Sequence, residues 1–148
     1  MTDDAAPHID VVEGAADAGN KVIVDALRGF NSARTGLEMR PVPFSVFVRD
    51  AHGTVLGGLI AQTVWDWLFV DKFWLPDSLR GTGVGSAVLE TAERWAMERG
   101  CKWSHLQTLD FQALAFYERH GYVVFGALEG YPPPAGTRYY LRKTLAPQ

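Results

Sequence analysis

The sequence predicts an α+β domain built on a mixed β-sheet flanked by helices, and two observations lead to this fold class. Apolar residues switch repeatedly between alternation and helical spacing, which gives the element order β-α-β-β-β-α-β-α-β-β. No repeat, linker or change of composition divides the 148 residues, and this length can bury a core without disulfides. We therefore expect one domain over residues 1–148.

The N-terminal half is predicted from a change in apolar spacing. Ile9 and Val11 alternate with polar residues, which indicates a strand, and the apolar residues that follow recur at helical spacing. Turn-forming residues from Asn31 to Pro43 indicate an irregular connection, and Asp50-Ala51-His52-Gly53 predicts the turn of a β-hairpin. The predicted elements are a strand over 8–13, a helix over 15–31, and strands over 44–49, 54–64 and 67–75.

The C-terminal half begins with a glycine-rich turn that opens a long amphipathic helix. Gly100 is expected to end this helix, because glycine readily adopts the left-handed conformation of a C-terminal cap. The loop Tyr131–Gly136 separates the last two strands. The predicted elements are a helix over 83–99, a strand over 102–108, a helix over 111–120, and strands over 122–128 and 137–145.

The glycine-rich turn, Arg80–Ser86, predicts an anion site. Gly81, Gly83 and Gly85 place unpaired backbone N–H groups and the positive end of the helix dipole at one point, and Arg80 adds a cation. No lysine follows, as a P-loop requires, and the third glycine comes too early for the dinucleotide fingerprint. The turn therefore predicts a different phosphate-bearing ligand.

Two blocks of sequence carry a family resemblance. The first is Arg-x-x-Gly-x-Gly at Arg80, Gly83 and Gly85, and the second is the run from Asp110 to Tyr122. In this order they resemble the GNAT superfamily of acetyl-coenzyme A-dependent N-acetyltransferases, over most of the chain. The resemblance implies a GNAT-like mixed sheet with a splayed strand pair that holds the cofactor. It also implies acetyl-coenzyme A as the co-substrate, without a metal, and direct attack by a primary amine in a ternary complex.

The resemblance also implies where the cofactor binds. The strand that ends at Phe73-Trp74-Leu75 would pair with the pantetheine arm, and one of its N–H groups would polarise the thioester carbonyl. Asp110 stands where the family often has asparagine, so it either contacts the pantetheine amides or caps a helix beginning at Phe111. The implied cofactor-binding residues are Phe73, Trp74, Leu75, Arg80, Gly81, Thr82, Gly83, Val84, Gly85, Ser86, Asp110, Phe116 and Tyr117.

Tyr117 matches the tyrosine that serves the family as a general acid. The thiolate of coenzyme A gains from a nearby proton as it leaves, and a tyrosine with a pKa of about 10 can supply it at nearly matched acidity. The alternative is that Phe116 and Tyr117 only form the core face of a short helix, since buried tyrosines usually serve packing.

Three acidic residues are candidates for the base that deprotonates the amine. The family often carries a glutamate at the position that Phe69 occupies here. Asp71 follows two residues later and shares the strand face of Phe69 if no bulge intervenes. Asp71 is the predicted catalytic base, Asp66 and Glu129 are alternatives, and each could instead be a solvated surface acid.

The acceptor pocket is expected to form from residues 28–43, the turn at Trp65-Asp66-Trp67 and the loop 129–136. Aromatic rings beside carboxylates suit a cation, so we expect a small-molecule amine such as an amino acid, a polyamine or an amino sugar. The same aromatic residues could instead form an apolar edge that joins two copies in a homodimer. The predicted substrate-binding residues are Trp65, Asp66, Trp67, Glu129 and Tyr131.

Composition excludes several function classes. A net charge of −3 gives no basic footprint for nucleic acid. The N-terminus has no apolar signal-peptide region, and the apolar run 55–64 is too short to span a bilayer, so we expect a cytoplasmic location and no membrane partner. The single cysteine, Cys101, excludes an internal disulfide, does not build a metal site, and is expected to be buried.

Two other functions remain open at this point. The acceptor could be a protein or peptide amine, although a bulky 129–136 loop closes a groove more naturally than it opens one. The chain could also be a non-catalytic, coenzyme A-binding regulatory module, because Phe69 stands at the usual position of the base.

Overall fold

The computed structural model describes residues 6–145, which fall into two compact units. One unit ends at Met39 and contains a single helix, and the other begins at Arg40 and contains the sheet. Within the described residues, no helix has the length and apolar character needed to cross a membrane. The elements are α1 (Asp17–Thr35), β1 (Val42–Arg49), β2 (Val55–Val64), β3 (Trp67–Trp74), α2 (Val84–Met97), β4 (Trp103–Leu109), α3 (Leu114–Arg119), β5 (Val123–Glu129) and β6 (Thr137–Thr144).

The N-terminal predictions need two corrections. The strand predicted over 8–13 is wrong: these residues form no regular element, and the side chains of Ile9 and Val11 are fully exposed. Alternation over so few residues does not make a strand when no neighbouring strand pairs with it. The predicted helix continues to Thr35, four residues further than expected, and ends where Gly36 adopts a φ of 70° and donates to the Ser32 carbonyl.

The sheet is mixed, as the sequence predicts. Its six strands follow the order β1-β2-β3-β4-β6-β5, in which β3 and β4 are parallel and every other neighbouring pair is antiparallel. The α2 helix packs its apolar stripe on the sheet through residues spaced three or four apart. The fully buried leucines of the core are Leu59, Leu68, Leu89, Leu106 and Leu141.

The parallel strands β3 and β4 separate halfway along their length. Their pairing runs from Trp67 opposite Trp103 to Val70 opposite Leu106, and then stops although both strands continue. At the same point β3 holds one extra residue against β2, because Ile60 pairs with Lys72 but Ala61 pairs with Val70. A bulge of this kind bends a strand and increases its twist, which accounts for the splay. The splayed strand pair that the sequence predicts is thus confirmed.

Candidate active site

A cleft of about 970 Å³ opens where β3 and β4 separate. The open edge of β3 forms one wall, the end of β4 and the following turn form another, and the glycine-rich turn before α2 closes one end. Helix α3 contributes the floor. The lining residues are Val70, Asp71, Lys72, Phe73, Trp74, Leu75, Leu79, Arg80, Gly81, Gly83, Gly85, Ser86, Gln107, Thr108, Phe111, Gln112, Ala113, Phe116, Tyr117 and Arg119.

The glycine-rich turn owes its conformation to two glycines. Gly81 and Gly83 have φ values of 73° and 88°, in the left-handed region that other residues rarely adopt. A Cβ atom at either position would meet open space, so the backbone conformation, rather than crowding, requires glycine there. Gly83 is the N-cap residue of α2, and no side chain caps this end of the helix, so the first N–H groups of α2 remain available on the side of the cleft.

Arg80 ties the glycine-rich turn to the end of β3. Its Nε donates to the Leu75 carbonyl at 3.0 Å, and its Nη1 lies 3.1 Å from an Asp77 carboxylate oxygen. The side chain is 59% exposed, so the guanidinium still presents positive charge at the mouth of the cleft. The side chains of Thr82 and Val84 make other contacts: the Thr82 hydroxyl donates to the Leu79 carbonyl, and Val84 packs against the core. The predicted cofactor contacts of these two residues therefore depend on their backbone N–H groups.

Tyr117 is buried and lines the cleft at the same time. It is 6% exposed, and its ring packs edge-on against Phe116 and Tyr122 at centroid distances of 5.3 and 5.8 Å. Burial raises the pKa of Tyr117 to about 12, because the phenolate form would lose its hydration. The pKa of this hydroxyl therefore lies above the value of about 8.5 at which a thiol titrates, so the two acidities are less closely matched in this cleft than the sequence predicts.

Asp110 does not cap a helix. Helix α3 begins at Leu114, later than predicted, and Asp110 Oδ2 instead accepts a hydrogen bond from the Thr137 N–H at 3.0 Å. The turn before α3 is held by Gln112, whose Oε1 accepts from the Leu109 N–H at 2.8 Å. Asp110 is absent from the cleft lining, and its carboxylate joins the end of β4 to β6.

Asp71 lies on the cleft, but it does not reach it by simple alternation from Phe69. The condition that no bulge intervenes between them is not met, because Asp71 is the extra residue of the β3 bulge. Its carboxylate pairs with the Lys72 ammonium at 2.9 Å, and both residues line the cleft. The ring of Phe69 stacks on His105 at a centroid distance of 4.9 Å and takes no part in the lining.

The turn at Trp65-Asp66-Trp67 lies at the opposite end of β3 from the cleft. Asp66 accepts backbone hydrogen bonds from Lys102 and Trp103, and its carboxylate lies 3.4 Å from the Lys102 ammonium. Three paired residues lie between this turn and the open edge, and the strand covers about 13 Å from Trp67 to Asp71. The predicted substrate-binding residues Trp65, Asp66 and Trp67 therefore do not line the cleft that contains Asp71.

Cys101 lies near the same end of β3 and matches its prediction. It is a free cysteine and 2% exposed. Burial, followed by the charge of Asp66, raises the pKa of its thiol, which keeps the thiol protonated and unreactive.

Glu129 and Tyr131 lie at the cleft end of the sheet. Glu129 pairs with Thr137, and β6 begins there, opposite the end of β4. The Arg138 guanidinium lies 4.7 Å from the centroid of the Tyr131 ring and donates to the side chain of Gln107, which lines the cleft. Arg138 thus links the 129–136 loop to the wall of the cleft.

Several lining residues carry no signal that single-sequence reasoning can read. Gln107 and Thr108 lie at the end of β4, beyond the point where β4 stops pairing with β3. Only the three-dimensional structure reveals where this pairing stops. Gln112 and Arg119 lie within the second of the two blocks that carry the family resemblance, but their polar side chains resemble ordinary surface residues.

Comparisons with known proteins agree with this architecture. The sequence profile of the Acetyltransferase (GNAT) family matches residues 25–122. Acetyltransferase Atu2258 of Agrobacterium fabrum is 35% identical over 119 residues, which cover 80% of this chain and 86% of that protein. Blasticidin-S acetyltransferase of Streptomyces morookaense is 38% identical over 99 residues, covering 66% and 73%. A solved structure from Agrobacterium tumefaciens has a TM-score of 0.83 at 30% identity and covers 93% of this chain and 99% of its own.

The chain is an acyltransferase. This class is indicated by the mixed sheet with its splayed parallel pair, by the glycine-rich turn at the splay and by these relatives. More narrowly, the chain belongs to the GNAT acetyltransferase family.

Proposed function

We propose that this chain transfers the acetyl group of acetyl-coenzyme A to a primary amine of a small molecule, by direct attack in a ternary complex. The observation that carries the proposal is the early end of the β3–β4 ladder, which leaves the β3 edge unpaired inside a cleft that also holds the glycine-rich turn and Tyr117. Blasticidin-S acetyltransferase, a relative by sequence, is named for a small-molecule substrate, which supports this acceptor class.

The residues of the cleft fit acetyl-coenzyme A. The N–H groups at Gly83, Gly85 and Ser86 would bind the pyrophosphate at the start of α2. The open edge of β3 from Asp71 to Trp74 would pair with the amides of the pantetheine arm, as an added strand does. The bound molecule supplies an acetyl thioester, which is activated toward attack by an amine.

Tyr117 would stabilise the departing thiolate by donating a hydrogen bond to it. With a pKa of about 12 the hydroxyl stays protonated at physiological pH, and complete transfer of its proton to a thiolate is uphill by roughly three pKa units. A hydrogen bond to a charged acceptor does not need that transfer. The proton that finally neutralises the thiolate would come from the substrate nitrogen, which becomes positively charged when the neutral amine adds to the thioester carbonyl.

Asp71 is the proposed base, and it would act through water. Its carboxylate lines the cleft and is oriented by the neighbouring Lys72 ammonium. The loop that carries Tyr131 would close the acceptor side through the contact between Arg138 and Gln107. Because Asp66 lies at the other end of β3, it is not part of this proposal.

The test is thiol release from acetyl-coenzyme A in the presence of a panel of amines. The panel contains amino acids, polyamines, amino sugars, nucleoside amines and a lysine-containing peptide, and a reaction without amine measures hydrolysis. We expect release above that background with at least one small amine and little with the peptide. If the chain binds acetyl-coenzyme A but no amine causes thiol release, the result would instead support a regulatory module. A preference for the peptide would indicate that the chain acetylates proteins.

A further inference from the structure

Ser86 and His120 form a hydrogen bond at the edge of the cleft. Ser86 lies in the first turn of α2 and lines the cleft, and His120 directly follows α3. Ser86 Oγ lies 2.9 Å from His120 Nε2, across 34 positions of sequence. The bond therefore joins the start of α2, where the phosphates are proposed to bind, to the helix that carries Tyr117.

The position of His120 is fixed by its backbone and by its ring. The backbone N–H of His120 donates to the carbonyls of Tyr117 and Phe116, at 3.0 and 3.3 Å. Its ring packs on the ring of Phe116 at a centroid distance of 4.6 Å, and Phe116 itself lines the cleft. These contacts hold the ring in the orientation that directs Nε2 at Ser86.

The direction of this hydrogen bond decides what Ser86 can offer to a ligand. A hydroxyl has one proton to donate. If Ser86 donates to His120, only lone pairs of the hydroxyl face the cleft, and they repel a phosphate oxygen. If His120 donates from Nε2, the Ser86 proton is free to be donated to an anion. Both the neutral ring with its proton on Nε2 and the imidazolium can act as that donor.

We propose that His120 is a positioning residue for the phosphates of acetyl-coenzyme A, acting through Ser86. His120 Nε2 donates to Ser86 Oγ, and Ser86 donates its own proton to a phosphate oxygen at the start of α2. The inference rests on the proposed function for the identity of the anion, and it adds a residue outside the glycine-rich turn to the machinery that binds it.

Two substitutions at His120 test the donor directly. His120→Phe keeps a ring beside Phe116 but removes the donor, and we expect the Kd for acetyl-coenzyme A, measured by calorimetry, to rise about tenfold. His120→Gln restores an N–H donor and should bring the Kd to within about threefold of the original value. The KM for acetyl-coenzyme A should follow the Kd, while kcat changes little.

A double-mutant cycle separates this pathway from a general loss of packing. Ser86→Ala should weaken binding as much as His120→Phe does, and the double variant should bind as weakly as Ser86→Ala alone, because the two residues act in series. Additive losses, or full binding by His120→Phe, would overturn the proposal. Circular dichroism confirms that each variant is folded.

A truncated thioester provides the chemical control. With S-acetylpantetheine, which lacks the pyrophosphate, His120→Phe and the original chain should react equally fast. A penalty that persists with this thioester would place the effect at Tyr117 instead and overturn the proposal. His105→Phe, a matched ring exchange at a residue that stacks on Phe69, should leave the Kd unchanged. If the original chain itself fails to bind acetyl-coenzyme A, the proposed function fails rather than this inference alone.

Discussion

The two halves of β3 contrast sharply although they belong to one strand of eight residues. From Trp67 to Val70 the strand is paired on both sides, and its residues pack on Trp103 and His105 of β4. Beyond the bulged residue Asp71, the strand from Lys72 to Trp74 is paired only with β2, and its other edge faces the cleft. Chemistry is therefore expected where the ladder stops, because only there are backbone donors and acceptors available to a ligand.

The contrast gives different roles to two acids that look alike in sequence. Asp66 and Asp71 are only five positions apart, and both stand between larger side chains. Asp66 holds the start of β4 through Lys102, whereas Asp71 is the bulged residue on the cleft. Proximity in sequence is thus a poor guide to a shared site when a strand runs from one end of a sheet to the other.

The largest effect on cofactor binding is expected from a substitution in the glycine-rich turn, which closes one end of the cleft. Gly83→Asp places a negative charge where the phosphates are proposed to bind, while aspartate tolerates a left-handed φ better than most residues. Acetyl-coenzyme A should stabilise the original chain against thermal unfolding, by about 2.7 kcal/mol at a hundredfold excess over its Kd. The Gly83→Asp variant should lose this stabilisation by acetyl-coenzyme A. A folded Gly83→Asp variant that is still stabilised by acetyl-coenzyme A would show that the glycine-rich turn does not bind the phosphates.

Removal of the Tyr117 hydroxyl should have the next largest effect. Tyr117→Phe deletes one polar atom at a buried position, so folding and cofactor binding should persist. We expect kcat to fall about 10- to 100-fold, the range of one hydrogen bond to a charged group. Tyr122→Phe, which removes the hydroxyl of the neighbouring buried ring outside the cleft, is the packing control. A kcat that does not change would reduce Tyr117 to a core residue.

The pair Asp71→Asn and Asp66→Asn tests the contrast along β3 itself. Asp71→Asn should lower kcat/KM for the amine about fivefold or more, and should flatten its rise with pH if Asp71 is the base. Asp66→Asn should change kcat/KM less than twofold and act only on stability, through its contact with Lys102. Equal losses in the two variants would contradict the separation of the two ends.

The smallest effect concerns the alkaline side of the pH profile. The hydroxyl of Tyr117 acts in its protonated form, and a pKa raised to about 12 extends that form to higher pH. A tyrosine with an ordinary pKa would be half ionised at about pH 10. The ratio of the rates of the original chain and Tyr117→Phe should therefore stay constant from pH 8 to 10. A twofold decline of that ratio would indicate an unshifted tyrosine.

The sequence predicts the fold and the conformation of the glycine-rich turn better than it predicts where the acidic residues lie. The glycine-rich turn is readable because Gly81 and Gly83 are required locally by their positive φ. Asp71 and Asp66 are not separable from sequence, because the bulge and the end of the β3–β4 ladder depend on partners distant along the chain. From its neighbours in sequence, Asp110 could cap a helix as well as contact the cofactor. Its carboxylate instead accepts a hydrogen bond from Thr137 in β6, a contact that the local sequence does not reveal.

Amide hydrogen exchange with and without acetyl-coenzyme A tests the central claim most directly. The claim is that the cofactor binds the open half of β3 and the start of α2. It predicts that amides within 71–75 and 81–86 gain protection when acetyl-coenzyme A is added, while amides within 64–67 keep their exchange rates. Unchanged exchange at 71–75, or protection centred on 64–67, would contradict the claim.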